Sequence, residues 1–180
     1  LPVVSGEDEA ALRVMDYILG AYHLDTRLYL ASRELRGLTN DNSSFLEPGV
    51  RGPGAYSFRT YGRPEAVRLL VAITFNELER MREGLPTDDE VFVAQGALVD
   101  GLYARRFATD TGAAQAFARE WLRHGSHELS ASYPERVQAV TGEDVRSAAV
   151  KYLHPERAII TVVGPLERIA DAPAIENEPQ

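Results

Sequence analysis

The chain has 180 residues, a formal net charge of −8 and no cysteine. This length fits one well-buried domain, and the lack of cysteine excludes disulfide bonds and thiolate metal sites. The negative charge disfavours nucleic acid as a partner, because such binding depends on Lys and Arg neutralising phosphates, and no apolar run approaches the roughly 20 residues of a membrane-spanning helix.

The first third of the chain predicts two helices followed by a β-hairpin. Apolar residues recur at helical spacing in both helices, and Gly20 and Gly37 stand where helices commonly end. Two stretches of partial alternation flank a Pro/Gly-rich connection and indicate the hairpin. On its first strand, Asn40, Asn42 and Ser44 share one face. The predicted elements cover residues 7–19, about 25–37, 38–47 and 54–62.

The middle of the chain is predicted to be helical almost throughout. Thr87 and Glu90 stand three residues apart before an apolar run, which is the pattern of a capping box. Thr141 is the predicted cap of a later helix, which follows a break near Gly142. The predicted helices cover residues 63–84, 86–107, about 110–123 and 133–156.

The end of the chain decides the fold class. Residues 157–165, "RAIITVVGP", are rich in β-branched side chains and predict a closing strand. Strands before and after a helical middle indicate an α+β domain, with several helices packed on one face of an antiparallel sheet. We expect this domain to span residues 1–165 and residues 166–180 to form a loose C-terminal tail. The start at Leu1, without Met or a signal peptide, indicates a fragment or a processed chain.

Five motifs follow one another in a distinctive order: "ALRVMDYILGAY", "TRLYLASRELRGLT", the hairpin, "PTDDEVFVAQGALVDGL" and "ERVQAVTGEDVRSAAVKYLHPERAIITVVGP". Together they resemble the second, non-catalytic half of the pitrilysin/insulinase-type zinc peptidases, which include the mitochondrial processing peptidases. The resemblance covers roughly residues 7–165 and implies the same fold. A whole domain of that family opens with one or two strands, so the resemblance also implies that these strands are absent here or contributed from elsewhere.

Catalysis in that family depends on an inverted zinc motif, H-x-x-E-H, in which two His bind zinc and the Glu activates water. The resemblance places this motif on the helix over residues 7–19, which here reads "RVMDY". Arg13, Asp16 and Tyr17 stand where the ligands and the base would be. Neither Arg nor Tyr replaces a neutral imidazole as a zinc ligand. We therefore expect no cofactor in this chain and zinc in a partner half.

The histidines offer a second, superficial metal motif in "HGSHE". His124, His127 and Glu128 stand in the wrong order for H-x-x-E-H, and the intervening Gly and Ser indicate a helix end and a turn. We interpret this stretch as a solvated helix end. His23 and His154 stand alone in the sequence and are interpreted as surface or turn residues.

The junction "SRELRGLTND" carries the candidate binding residues. In the non-catalytic half of the family, an Arg and a Tyr seven residues apart hold the substrate near the zinc of the other half. The resemblance assigns Arg33 to the Arg position and Asn40 to the Tyr position, and an Arg there supplies charge-assisted donors to a peptide carbonyl. The alternative is that Arg33 and Arg36 only stabilise the carbonyl end of a helix.

Two functions follow from the resemblance. The first is a substrate-binding half of a zinc metallopeptidase, inactive alone, which encloses a peptide chamber with an HxxEH-bearing half in the same chain or in a second subunit. The second is a catalytically dead scaffold subunit of a larger complex. An exposed sheet edge in either case favours self-association. A soluble chain without cysteine suits the cytoplasm and the periplasm equally.

Overall fold

The computed structural model of the protein describes residues 1–22, 24–50 and 52–170. Its helices are α1 Glu9–Leu19, α2 Arg27–Tyr29, α3 Val67–Glu83, α4 Asp88–Gly96, α5 Ala104–Arg106, α6 Asp110–His124, α7 Glu128–Ala131, α8 Tyr133–Gln138, α9 Gly142–Tyr152 and α10 Leu166–Ala170. Its strands are β1 Asn42–Glu47 and β2 Ala55–Thr60. Two π-helical turns, Leu30–Glu34 and Ala97–Tyr103, continue α2 and join α4 to α5, and 3-10 turns occupy Pro64–Ala66 and Pro155–Arg157.

Helix α1 lies at the centre of the fold. Its apolar residues recur every three or four positions, and those on the inner side are almost fully shielded from solvent. Leu12, Met15 and Leu19 are each 0% exposed. The helix packs against α9, α4, α8 and β1, so the core forms around it. In the part of the chain that the structure describes, no helix has the length and apolar character to cross a bilayer.

Side-chain caps fix where the later helices begin, as the sequence predicts. The Thr87 hydroxyl accepts from the Glu90 backbone N–H, and the Glu90 carboxylate accepts from the Thr87 N–H at 2.8 Å. Thr141 forms the same reciprocal pair with Asp144 and starts α9. Each box satisfies backbone donors that the first turn of a helix leaves unpaired. Both capping predictions are confirmed.

The predicted hairpin is present, and its register explains its burial. Strands β1 and β2 pair antiparallel, with Asn42 opposite Thr60 and Glu47 opposite Ala55. Asn42 and Ser44 share the inner face of β1 and are 1% and 5% exposed, against α1 and α2. Asn40, which we expected on the same face, lies in an exposed bend before the strand begins. Helices packed on an antiparallel pair of strands make this an α+β fold.

The closing strand predicted over residues 157–165 is wrong. Pro155–Arg157 form a 3-10 turn, and residues 158–163 form no regular element. Their apolar side chains point to solvent, with Ile159 and Val163 both 94% exposed. A β-branched segment becomes a strand only when a neighbouring strand accepts its backbone hydrogen bonds, and the structure places no such strand beside it in the described ranges.

The first residues of the expected C-terminal tail form a helix and are not a loose segment. Residues 166–170 form α10, where the Arg168 guanidinium pairs with Glu65 at 2.6 Å. The Arg68 guanidinium also donates to the Ala170 carbonyl at 2.9 Å. The rest of the expected tail, residues 171–180, lies outside the described residues. The domain boundary at residue 165 stays a prediction.

Candidate functional site

The helix that carries the candidate arginine ends in a π-helical turn. The backbone N–H of Leu35 donates to the Leu30 carbonyl, five residues earlier, at 3.0 Å. Gly37 then reverses the chain with φ of 60°, and its N–H donates to the Arg33 carbonyl at 2.7 Å. This left-handed glycine is the helix end that the sequence predicts. Because π-helical turns are rare and occur often at functional sites, the position of Arg33 inside one is informative.

Arg33 is held by side chains on its own helix. Its guanidinium donates to the Tyr29 hydroxyl and to the Glu34 carboxylate, the latter at 2.7 Å. It also lies 5.1 Å from the centre of the Tyr29 ring. Tyr29 is itself 6% exposed and is therefore a fixed support. The Arg33 side chain is 42% exposed, so part of its donor fork faces solvent in a defined position.

Arg36 stabilises the carbonyl end of its helix, which was the alternative role for both arginines. Its guanidinium donates to the Ala31 carbonyl at 2.8 Å, which satisfies a backbone acceptor near the helix end. The recorded contacts of the Arg33 guanidinium, in contrast, are to side chains. The two arginines thus make different kinds of contact. Whether Arg33 binds substrate stays a prediction.

Asn40 lies at the tip of a braced turn. The Thr39 hydroxyl accepts from the Asp41 N–H at 3.0 Å and donates to the Asp41 carbonyl at 2.9 Å. The Thr60 hydroxyl donates to the same carbonyl at 2.8 Å, which ties the turn to β2. The turn therefore presents the Asn40 side chain to solvent from a fixed backbone. The role of Asn40 in binding substrate also stays a prediction.

The residues of α1 at the positions of the zinc motif are not suited to bind zinc, and they contact other groups of the protein. Arg13 lies 3.8 Å from the Glu9 carboxylate and donates to the Leu46 carbonyl at 3.4 Å. Asp16, at the Glu position, is 4% exposed and points into the protein. Among the described ranges, the structure brings no three His, Asp or Glu side chains into an arrangement that could bind a metal. A cationic Arg and an inward Asp do not fit the zinc site of a catalytic half.

Asp16 instead connects α1 to the hairpin. Its Oδ1 accepts a 2.6 Å hydrogen bond from the Ser44 hydroxyl. Burial raises the pKa of Asp16, although Ser44 and the charge of Arg13 act in the opposite direction. Sequence reasoning missed this structural pair. The available signal was Asp16 itself, because it stands four residues after Leu12 and three before Leu19 on the apolar stripe.

The histidines of "HGSHE" lie at a helix end but not in a metal site. Gly125 has φ of 70° and ends α6, as predicted. His124 is not solvated, however, because its side chain is 17% exposed and lies 3.7 Å from the Glu9 carboxylate. His127 stacks near Trp121, with ring centres 6.3 Å apart. His154 is partly exposed at the turn after α9, and His23 lies outside the described residues.

Comparisons with known proteins identify relatives of this chain in sequence and in fold. Residues 1–98 match the model of the peptidase M16 inactive domain. A Streptomyces coelicolor protein named as an uncharacterized zinc protease is 31% identical over 174 residues, which cover 93% of this chain and 36% of that protein. The M16 inactive domain from Pseudomonas fluorescens is 25% identical, with a TM-score of 0.66 over 82% of this chain and 34% of that chain.

The inactive peptidase domain from Bordetella parapertussis has the same fold. It is 21% identical, and the two chains superpose with a TM-score of 0.70 over 87% of this chain and 83% of that one. This chain spans only about a third of the length of the Streptomyces relative, of which it covers 36%. The family model nevertheless matches more than half of the sequence, over residues 1–98 of 180. The chain belongs to the peptidase M16 inactive domain family.

Proposed function

We propose that this chain is the substrate-binding, non-catalytic half of a zinc metallopeptidase. In this proposal, residues 1–165 pack against an HxxEH-bearing half, either in the same polypeptide or in a second subunit. The two halves enclose a chamber for a peptide, and zinc is bound only by the partner half. The chemistry of α1 supports this division of labour, because Arg13 and Asp16 cannot take the places of a ligand and a base.

The observation that carries the proposal is the state of Arg33. Its guanidinium is fixed by Tyr29 and Glu34, yet its side chain remains 42% exposed on a π-helical turn. An arginine held in this way is ready to donate charge-assisted hydrogen bonds to a peptide carbonyl without first losing side-chain freedom. Asn40 would add a donor from the braced turn that precedes β1.

A second candidate function rests on Asn40. The resemblance places a Tyr at this position, and Asn is shorter and has no ring to pack against a substrate. This difference favours a catalytically dead scaffold in a larger complex, where the same surface would contact another subunit. The two functions differ in one measurable respect, since only the first requires Arg33 for peptide hydrolysis.

The test uses the intact protein that contains this chain together with its HxxEH-bearing half. Arg33→Ala is expected to lower kcat/KM for peptide hydrolysis by roughly tenfold or more, if the contact strengthens in the transition state. Arg36→Ala is the matched control, because its guanidinium is engaged by the Ala31 carbonyl. It should lower thermal stability slightly and affect kcat/KM much less.

Asn40→Tyr is the complementary gain-of-function variant. It restores the residue that the resemblance places there, and it should raise kcat/KM if Asn40 faces the chamber. Circular dichroism of each variant would verify that the fold is intact. Parental hydrolysis rates for the Arg33 and Asn40 variants, in folded protein, would reject the substrate-binding role and favour the scaffold.

A further inference from the structure

A small polar pocket lies beside the zinc position of α1. Its volume is about 30 Å³. One water needs roughly 10–15 Å³ of such a pocket, so the space holds about two oxygen-sized groups. Arg13 and Arg106 both line it, and leucines from the π-helical segment Ala97–Tyr103 form its apolar side. The complete lining is Arg13, Asp16, Tyr22, Leu98, Leu102, Tyr103, Arg106 and Tyr133.

The positive charge in the pocket is only partly neutralised. Arg13 has one distant carboxylate, Glu9 at 3.8 Å. In the described part of the chain, the Arg106 guanidinium has no carboxylate within salt-bridge distance, and it lies 5.8 Å from the centre of the Tyr133 ring. Asp16 contributes a carboxyl to the wall, but one of its oxygens already accepts from Ser44. Two guanidinium groups therefore line the pocket beside the single carboxyl of Asp16.

The side chain of Tyr133 also lines this space. Tyr133 is 9% exposed, stacks on Tyr103 with ring centres 5.6 Å apart, and has no hydrogen-bond partner for its hydroxyl among the described residues. Burial raises the pKa of Tyr133, while Arg13 and Arg106 both act to lower it. Arg13, Arg106 and Tyr133 all line the same pocket. The Tyr133 hydroxyl is therefore free to donate to a group bound in the pocket.

The backbone around the pocket is unusual on two sides. Tyr22 has φ of 70°, which a residue with a side chain rarely adopts. The opposite side is a seven-residue π-helical segment, Ala97–Tyr103, longer than the single turns in which such helices mostly occur. Both features are found more often at binding and active sites than elsewhere, because the surrounding structure must maintain them.

We propose that this pocket binds one carboxylate group, held by Arg13, Arg106 and the Tyr133 hydroxyl. A carboxylate has two oxygens that match the available volume, and arginine forks bind it with good geometry. The inference rests on the proposed function in one respect, since a bound peptide supplies the carboxylate. Its source is either the C-terminal carboxylate of the peptide or an Asp or Glu side chain.

The first experiment measures binding of acetate to the 180-residue chain by the ¹⁵N-edited NMR signals of the arginine Nε–Hε groups. Acetamide serves as the uncharged isostere, at constant ionic strength. Acetate is expected to shift the Arg13 and Arg106 signals saturably, and acetamide is not. Arg106→Gln should weaken acetate binding at least tenfold. Arg119→Gln is the control, because Arg119 is exposed on α6 and does not line the pocket.

Tyr133→Phe removes only the hydroxyl and keeps the ring in its stack, so it tests the pocket if Arg106→Gln fails to fold. It should weaken acetate binding several-fold. Equal shifts with acetate and acetamide, or acetate affinity unchanged in both variants, would overturn the proposal. These measurements need neither zinc nor the partner half. Their failure would leave the role of Arg33 in hydrolysis untouched, and failure of the Arg33 test would leave them untouched.

The second experiment identifies the source of the carboxylate with three N-acetylated, alanine-based pentapeptides. One has a free C-terminal carboxylate, one is amidated, and one is amidated with a central Glu. Binding of the first alone assigns the pocket to a peptide terminus, and binding of the third alone assigns it to an acidic side chain. Equal binding of all three, including the uncharged peptide, would contradict recognition of a carboxylate.

Discussion

The hydrogen bond between Ser44 and Asp16 offers a sharp test of how the hairpin is attached to α1. Ser44→Ala removes the hydroxyl that donates to the Asp16 carboxyl at 2.6 Å, and it leaves the separate backbone bond from the Ser44 N–H to the Gly20 carbonyl at 3.1 Å. The substitution therefore removes the contacts of the Ser44 hydroxyl with Asp16 and keeps the backbone hydrogen bond. Asp16 is 4% exposed, so water does not readily replace the lost donor.

The expected magnitude follows from the geometry of this bond. A distance of 2.6 Å lies in the range of about 2.5–2.7 Å that is typical of a hydroxyl donating to a carboxylate. Such a bond to a charged group contributes ~1.5–3 kcal/mol, against ~1 kcal/mol for a neutral pair. We expect Ser44→Ala to lower the free energy of unfolding by about 2 kcal/mol at pH 7. For a chain of 180 residues this corresponds to a decrease in Tm of about 4–8 °C.

Thermal unfolding followed by circular dichroism, at a fixed protein concentration, measures the effect. Ser57→Ala is the matched control, because Ser57 is exposed on the outer face of β2. Asp16→Asn is the complementary variant and tests the contribution of the Asp16 charge. The pKa of Asp16 is raised by burial, so native stability falls as the pH rises through that pKa, and Asn removes this dependence. If Ser44→Ala and Ser57→Ala lower Tm equally, the attachment through Asp16 is refuted.

Three further predictions concern the chain alone. Metal analysis of purified protein should find no tightly bound zinc, and the chain should not hydrolyse peptides; one equivalent of zinc or chelator-sensitive cleavage would contradict its non-catalytic assignment. Ile159 and Val163 are 94% exposed, so the chain should self-associate in light scattering, and the double substitution Ile159→Lys and Val163→Lys should reduce this. A parent chain that is monomeric at high concentration would contradict this prediction. Burial would raise the pKa of Asp8, but hydrogen bonds from Lys151 and two hydroxyl groups outweigh it and lower that pKa to about 2. This contribution to stability should be lost as the pH falls from about 4 to 2, and Lys151→Met should shift the Asp8 carboxyl titration upward in NMR.

Local signals explain which helices and turns were predictable from sequence. The capping residues Thr87 and Thr141 act on backbone donors two or three positions away, so their effect is encoded within one turn. Gly37 and Gly125 end helices for an equally local reason, because their positive φ favours a residue without a side chain. In each case the residues that give the signal lie within the same turn of the chain as the structure that they determine.

Features that depend on distant partners were missed. The stretch over residues 157–165 has the composition of a strand, but strand formation requires a neighbour that composition cannot supply. The π-helical turns also have no simple sequence pattern. Both of them belong to candidate sites, because the first contains Arg33 and the second lines the pocket beside Arg13 and Arg106.

Helix α1 occupies the place of the zinc-binding helix of a catalytic half but carries side chains of different charge and function. In a catalytic half, the Glu of H-x-x-E-H must remain accessible to activate water. Here Asp16, one methylene shorter, is buried and holds the hairpin through Ser44, while Arg13 at a His position brings positive charge to the neighbouring pocket. A guanidinium at a ligand position repels a cation, and an inward-pointing Asp16 that accepts from Ser44 is not placed to activate water. We therefore expect that replacing Arg13 and Tyr17 by His, without moving Asp16, does not recreate a catalytic zinc centre, because the base position would still lack a side chain placed to activate water.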